Sequence, residues 1–284
     1  MMKTALMNDV LKKCFWALCY LLIMSDIACA VSGKPLRLGV PLYTVDAPVT
    51  EEFIVRLNTY LRPDDILFVT GEPQTVHLLK LVKTGKVAVI RQSVAGLKKD
   101  LDFLISQKVS VDYLCYNHEA WESSHTPGVE KEDPVKAVIN ARKLADEYRL
   151  QLILVPDTAI TLLSSGADMA PYADIFIVQF QRWQLLKEDE FQKLVDRTVR
   201  WVKTGNPEVP IFAQLSTNPP LHRHRSDKEG HVTASAAEMM AKVKTIERFI
   251  DGAGFLLRAE DNGFERFFEL LEIFRPKNDS GLKE

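Results

Sequence analysis

The chain has 284 residues, 46% of them hydrophobic, with 36 basic and 38 acidic side chains and a formal charge of −2. That balance excludes a general electrostatic attraction to nucleic acid, and no polybasic patch suits an anionic membrane surface. There is no low-complexity segment.

The first 30 residues read as an export signal. Lys3, Lys12 and Lys13 make a basic start, residues 14–24 form an apolar core, and Ala28-Cys29-Ala30 offers small residues for cleavage. Such a core is too short to span a bilayer. The expected location is therefore secreted or periplasmic, with no stable membrane insertion after cleavage. The remaining 254 residues carry 33 basic and 36 acidic side chains, a formal charge of −3. They contain a single cysteine, Cys115, so an apolar core has to carry stability without an internal disulfide.

Eight short apolar runs follow, at 36–43, 66–71, 87–93, 111–119, 151–157, 175–181, 211–216 and 254–260. Amphipathic stretches separate them. The first has Phe53, Ile54, Leu57 and Leu61 on one helical face. Further helices are predicted at 75–82 and 94–105, and one from Asp133-Pro134, an N-cap followed by a first-turn proline, to about 148. A short helix is expected within 159–172 and a longer one over 190–202. Ser235-Ala-Ala-Glu238 has capping-box spacing, and the last helix covers 264–274 before Pro276. Strands alternating with helices form a parallel sheet, and eight units suggest an α/β fold, a single (β/α)8 TIM barrel over 31–276 with a polar tail at 277–284. The long connections 120–132 and 217–234 both follow strands, which sets them over the C-terminal mouth.

Side chains alternate along a strand, so parity sorts the lumen from the outside. Strand 4 is read as sending Cys115, Asn117 and Glu119 inward, strand 6 Gln179 and Gln181, and strand 7 Gln214, Ser216 and Asn218. Strand 3 adds Arg91 and strand 5 adds Asp157 at its tip. Tyr43, Trp121, Trp183, Glu260 and Asp261 lie close to strand ends. Amides donate and accept, as sugar hydroxyls require, and aromatic faces stack on sugar rings. The expected ligand is a carbohydrate or another polar small molecule.

Asp112-Tyr113-Leu114-Cys115-Tyr116-Asn117-His118-Glu119 resembles the strand-4 signature of chitinase-type glycoside hydrolases, an Asp-rich pattern ending in a catalytic Glu. Cys115 stands where that pattern has a middle Asp. The Asn-x-Glu ending is similar to that of endo-β-N-acetylglucosaminidases. The resemblance implies that Glu119 protonates the leaving oxygen while Asn117 orients the substrate's own acetamide, with no second protein carboxylate. The Tyr expected after strand 6 and the Trp expected at strand 8 are absent. Asp157, with Glu119, leaves a two-carboxylate mechanism open.

Two other readings remain at this stage. One is a non-catalytic barrel that binds glycan or protein. The other is a metal-dependent hydrolase using His222 and His224, although the interleaved arginines at 223 and 225 oppose a cation. No metal and no cofactor are expected. Phosphate fits poorly beside Glu260 and Asp261.

Overall fold

Every apolar run becomes a strand, and the strands pair in chain order. They are β1 (Arg37–Pro41), β2 (Ile66–Val69), β3 (Lys86–Arg91), β4 (Tyr113–Tyr116), β5 (Gln151–Leu154), β6 (Ile175–Gln179), β7 (Ile211–Ser216) and β8 (Gly252–Leu256). All neighbours are parallel, and β1 closes on β8 through Arg37↔Gly252. The chain is a (β/α)8 barrel. The computed structural model describes residues 35–43, 48–122, 124–158, 162–221, 230–259 and 262–275. The expected export signal, the polar tail, Glu260, Asp261, His222 and His224 lie outside them.

The helices between strands are α1 (Glu51–Leu57), α2 (Pro73–Leu79), α3 (Val94–Ser106), α4 (Gly128–Glu132), α5 (Pro134–Glu147), α6 (Leu163–Met169), α7 (Glu188–Gly205), α8 (Ala236–Ile246) and α9 (Gly263–Phe274). Their starts have local causes. Thr50, Ser93 and Asp133 each accept a backbone N–H of the first turn of α1, α3 and α5, and Ser235 with Glu238 forms a reciprocal capping box on α8. The small α4 lies within the connection 120–132, where the sequence predicts only a loop. Among the described residues no helix is long and apolar enough to cross a membrane.

Two apolar layers result. The outer one, between strands and helices, includes Leu38, Val40, Leu67, Val89, Leu114, Phe176, Val178, Phe180 and Leu215. The inner one fills the lower lumen with Phe68, Ile90, Cys115, Ile153, Ile177 and Phe212. Large and small side chains complement each other there: a Cβ on Gly252 would lie 2.5 Å from the Phe212 ring. Phe212 on β7 therefore requires glycine at β8, and Phe68 on β2 likewise comes within 3.0 Å of where a Cβ on Gly39 of β1 would sit.

A buried ion pair ties the base. Asp65 accepts from the backbone N–H groups of Leu38 (2.8 Å) and Arg62 (2.7 Å) and pairs with Arg275 through both carboxylate oxygens. Arg275 also donates to the Leu36 carbonyl at 2.9 Å. The first strand, the second strand's approach and the end of α9 are thus locked together, opposite the mouth.

Candidate functional site

The apolar filling stops below the strand ends. Above it lies a cavity of about 550 Å³, lined among others by Tyr43, Gln92, Asn117, Glu119, Trp121, Gln179, Gln181, Gln214, Ser216 and Asn218. That volume lies within the usual range for small-ligand sites.

Register explains who meets whom. Gln179 pairs with Gln214 across β6 and β7, and Gln214 pairs with Gly254 across β7 and β8. Asn117 and Glu119 follow β4 with the inward parity of Cys115. A directed chain of amides joins them. Gln181 Nε2 donates to Gln179 Oε1 at 3.1 Å, and Gln179 Nε2 to Asn117 Oδ1 at 3.2 Å. Asn117 Nδ2 then donates to Glu119 Oε1 at 3.1 Å. From the other side Gln92 Nε2 donates to Glu119 Oε2 at 2.8 Å.

The segment after β4 is anchored to the Glu119 backbone and to Gln92. The Glu119 N–H donates to Thr126 Oγ1 at 3.0 Å, Ser124 Oγ donates to the Glu119 carbonyl at 2.6 Å, and the His125 N–H donates to Gln92 Oε1 at 2.7 Å. Lys131 Nζ holds the Trp121 carbonyl at 2.8 Å. Two different strand ends and one loop therefore fix a single carboxyl group. Such multiple anchoring is what a working side chain needs to keep its geometry.

Across the cup, Ser216 and Asn218 serve the wall itself. Gln184 clamps the Ser216 backbone from both sides, at 2.9 Å and 2.8 Å. The Asn218 side chain accepts from Arg266 at 3.0 Å and from the Thr217 hydroxyl at 2.8 Å. The Pro220–His231 bridge closes the base of the loop after β7. Tyr43 lies on the floor. Desolvation pushes its hydroxyl above the ordinary phenol range, the Cys115 thiol and the Glu119 carboxylate add to the rise, and Arg91 opposes it. Tyr43 thus remains a neutral hydrogen-bond donor. Burial raises the Cys115 thiol well above its usual value, which leaves it unreactive.

Three expected residues are placed elsewhere. Arg91 pairs in register with the outward-facing Tyr116 and bonds Asp100 at 2.5 Å, so Gln92 takes the lumen position assigned to it. Asp157 is 3% exposed and accepts from the Ala120 N–H at 3.4 Å, outside the cavity lining. Trp183 packs against the outer core. Conversely, Gln92, Ser124, His125, Arg182 and Arg258 line the cavity without having been assigned to it from the sequence. His231, at the end of the long connection 217–234, lines it too. Among the described residues no group of three His, Cys, Asp or Glu side chains could hold a metal ion.

No family model matches the chain, and no curated protein sequence matches it. The fold is similar to the GH18 chitinase ChiB from the chitin utilization locus of Flavobacterium johnsoniae. The TM-score is 0.56 at 11% identity, covering 86% of this chain and 93% of that one. It is also similar to hydroxymethylglutaryl-CoA lyase from Pseudomonas aeruginosa, with TM-score 0.51 at 8% identity over 78% and 76% of the two chains. A hydrolase and a lyase share this architecture, so the likeness establishes the barrel and leaves chemistry to the site.

Proposed function

We propose that the cup binds a carbohydrate containing N-acetylhexosamine and hydrolyses its glycosidic bond, with Glu119 as the general acid. One observation carries this reading. Among the described residues Glu119 is the only carboxylate lining the cavity, and Asn117 lies beside it with Nδ2 3.1 Å from Oε1. A single carboxylate among the described lining residues fits a reaction in which the substrate provides the nucleophile. The acetamide oxygen, oriented by Asn117, attacks the anomeric carbon as the bond to the leaving oxygen breaks. Glu119 delivers its proton to that oxygen. Water then opens the cyclic intermediate and returns a proton to Glu119. Gln181 and Gln214 present amides for hydroxyl groups, Gln179 holds Asn117 and Gln181 in place, and the partly buried Trp121 offers a ring face. The basic and apolar character of the first 30 residues supports an exported location.

Replacing Glu119 with Gln tests the assignment. Turnover of N-acetylglucosamine oligomers is expected to vanish while binding persists. Unaltered turnover removes Glu119 from the chemistry. A second reading, a non-catalytic glycan-binding barrel, is favoured by the engagement of both Glu119 oxygens with amide donors. Binding without turnover in the unaltered protein selects it.

A further inference from the structure

The amide chain has a polarity that the carboxylate imposes. Glu119 Oε1 accepts from Asn117 Nδ2, which turns the Asn117 oxygen the other way. Asn117 then presents its oxygen to Gln179, and Gln179 presents its oxygen to Gln181. The chain ends on Gln181 Oε1, which is buried and has no hydrogen-bond partner among the described residues. The next strand repeats the condition independently. Gln214 Oε1 is also buried without a partner, and the Gln214 side chain makes no hydrogen bond among the described residues. Its register neighbours explain why. Gln179 has committed its nitrogen to Asn117 and Val155, and Gly254 has no side chain to offer. Below Gln214 a recess of about 30 Å³ is lined mostly by apolar groups, Phe68, Ile90 and Ile177 among them.

Buried acceptors are nearly always satisfied in folded proteins, so two orphans in one wall of one cavity call for a cause. Neither oxygen bonds the fold among the described residues. We infer that the β6–β7 wall is an acceptor surface that selects the ligand by its donors: Gln214 Oε1 and Gln181 Oε1 each receive a hydroxyl or N–H from the bound molecule. The wall discriminates against ligands with acceptors alone at these two points. This rests on the carbohydrate reading and adds the residues that set its specificity.

Gln214→Met gives the cleanest test, because it removes no hydrogen bond among the described residues. Binding of N,N′,N″-triacetylchitotriose is followed by calorimetry on the full chain, with thermal unfolding in parallel. The expected result is about tenfold weaker binding, the worth of one hydrogen bond, with Tm unchanged or raised. Gln214→Glu keeps acceptor oxygens on a side chain of equal length and is expected to bind within about threefold of the unaltered protein. Equal losses in the Met and Glu variants overturn the acceptor assignment, as does unaltered binding in the Met variant. A lowered Tm in the Met variant shows a structural amide and overturns it too. Failure of the unaltered protein to bind the trimer instead sinks the carbohydrate reading, and the inference with it.

Discussion

Gln179, at the end of β6, donates to Asn117 Oδ1 beyond β4 at 3.2 Å, joining positions 62 residues apart. This contact and the one to Glu119 together fix which way Asn117 faces. With its oxygen occupied, only its nitrogen is left for Glu119. Gln179→Leu removes the constraint at similar volume. It leaves Asn117 Oδ1 and the Gln181 amide without their partner, which costs about 1–3 kcal/mol of stability. Turnover is expected to fall by at least about tenfold with KM little altered, since a misdirected Asn117 affects the reacting geometry more than hydroxyl contacts. Urea unfolding and steady-state kinetics on N-acetylglucosamine oligomers read the two effects separately. A fall in stability with kcat intact assigns Gln179 to the fold alone.

The buried pair at the base gives a prediction independent of function. Asp65 is fully buried and Arg275 is 4% exposed. Asp65→Ala strands the guanidinium among the carbonyls of Leu36 and Tyr60, and removal of one partner of such a pair costs about 3–5 kcal/mol. The urea midpoint should drop with an unchanged slope. Asp65→Ala combined with Arg275→Met should recover much of the loss, because the uncompensated charge is gone. No recovery would show that the Leu38 and Arg62 amides, rather than charge pairing, dominate at this point.

The strand order and the facing of β4, β6 and β7 could be read from the sequence, because polar residues at every second position break the apolar runs there. Asn117, Glu119, Gln179, Gln181 and Gln214 all follow from that period. The facing of β3 could not be read. Its strand is buried on both faces, so Val87-Ala-Val-Ile90 gives no alternation to set the phase, and Arg91 and Gln92 exchange roles. Asp157 fails for a different reason. Parity counts from Ile153 and Val155 would bring it inward, but β5 ends at Leu154 and Pro156 intervenes, so alternation no longer applies. Trp183 lies in the turn after β6, where no period exists. Gln92 and His125 owe their places to a contact between two loops, which no local pattern encodes.

His118 sets a pH dependence. It is 1% exposed beneath the loop that follows β4, with Nε2 2.9 Å from the Glu130 carbonyl. Desolvation lowers its pKa below the ordinary 6.5, against the opposing pull of the Glu130 carbonyl and the Asp157 charge. The unfolded chain therefore binds a proton where the folded one does not. Stability is fully present above pH 6.5 and falls as pH drops toward the lowered native value. One such group contributes a slope of at most about 1.4 kcal/mol per pH unit in that window. His118→Gln keeps an N–H for Glu130 and does not titrate. Urea midpoints between pH 5 and pH 7.5 should show a shallower dependence in the variant. Identical slopes would assign the acid sensitivity to other groups.

Substrate assistance makes a demand that a two-carboxylate mechanism does not. If the nucleophile is the substrate's acetamide, a trimer with free amines in place of acetamides has nothing to attack with. Turnover of N,N′,N″-triacetylchitotriose is then expected, and turnover of the deacetylated trimer is not. Asn117 acts on the same group, so its removal and the removal of the acetyl group should not add. Asn117→Ala is expected to lower kcat on the acetylated trimer by on the order of 10²-fold, through loss of orientation. On the deacetylated trimer it should change nothing further. Comparable turnover of both trimers, with an Asn117→Ala loss on each, would mean that a protein carboxylate supplies the nucleophile. Asp157 is placed poorly for that role, because its side chain caps the Ala120 amide outside the cavity lining. Asp157→Asn should therefore leave kcat on the acetylated trimer within about twofold while lowering stability modestly, since the Asn oxygen can still accept from Ala120.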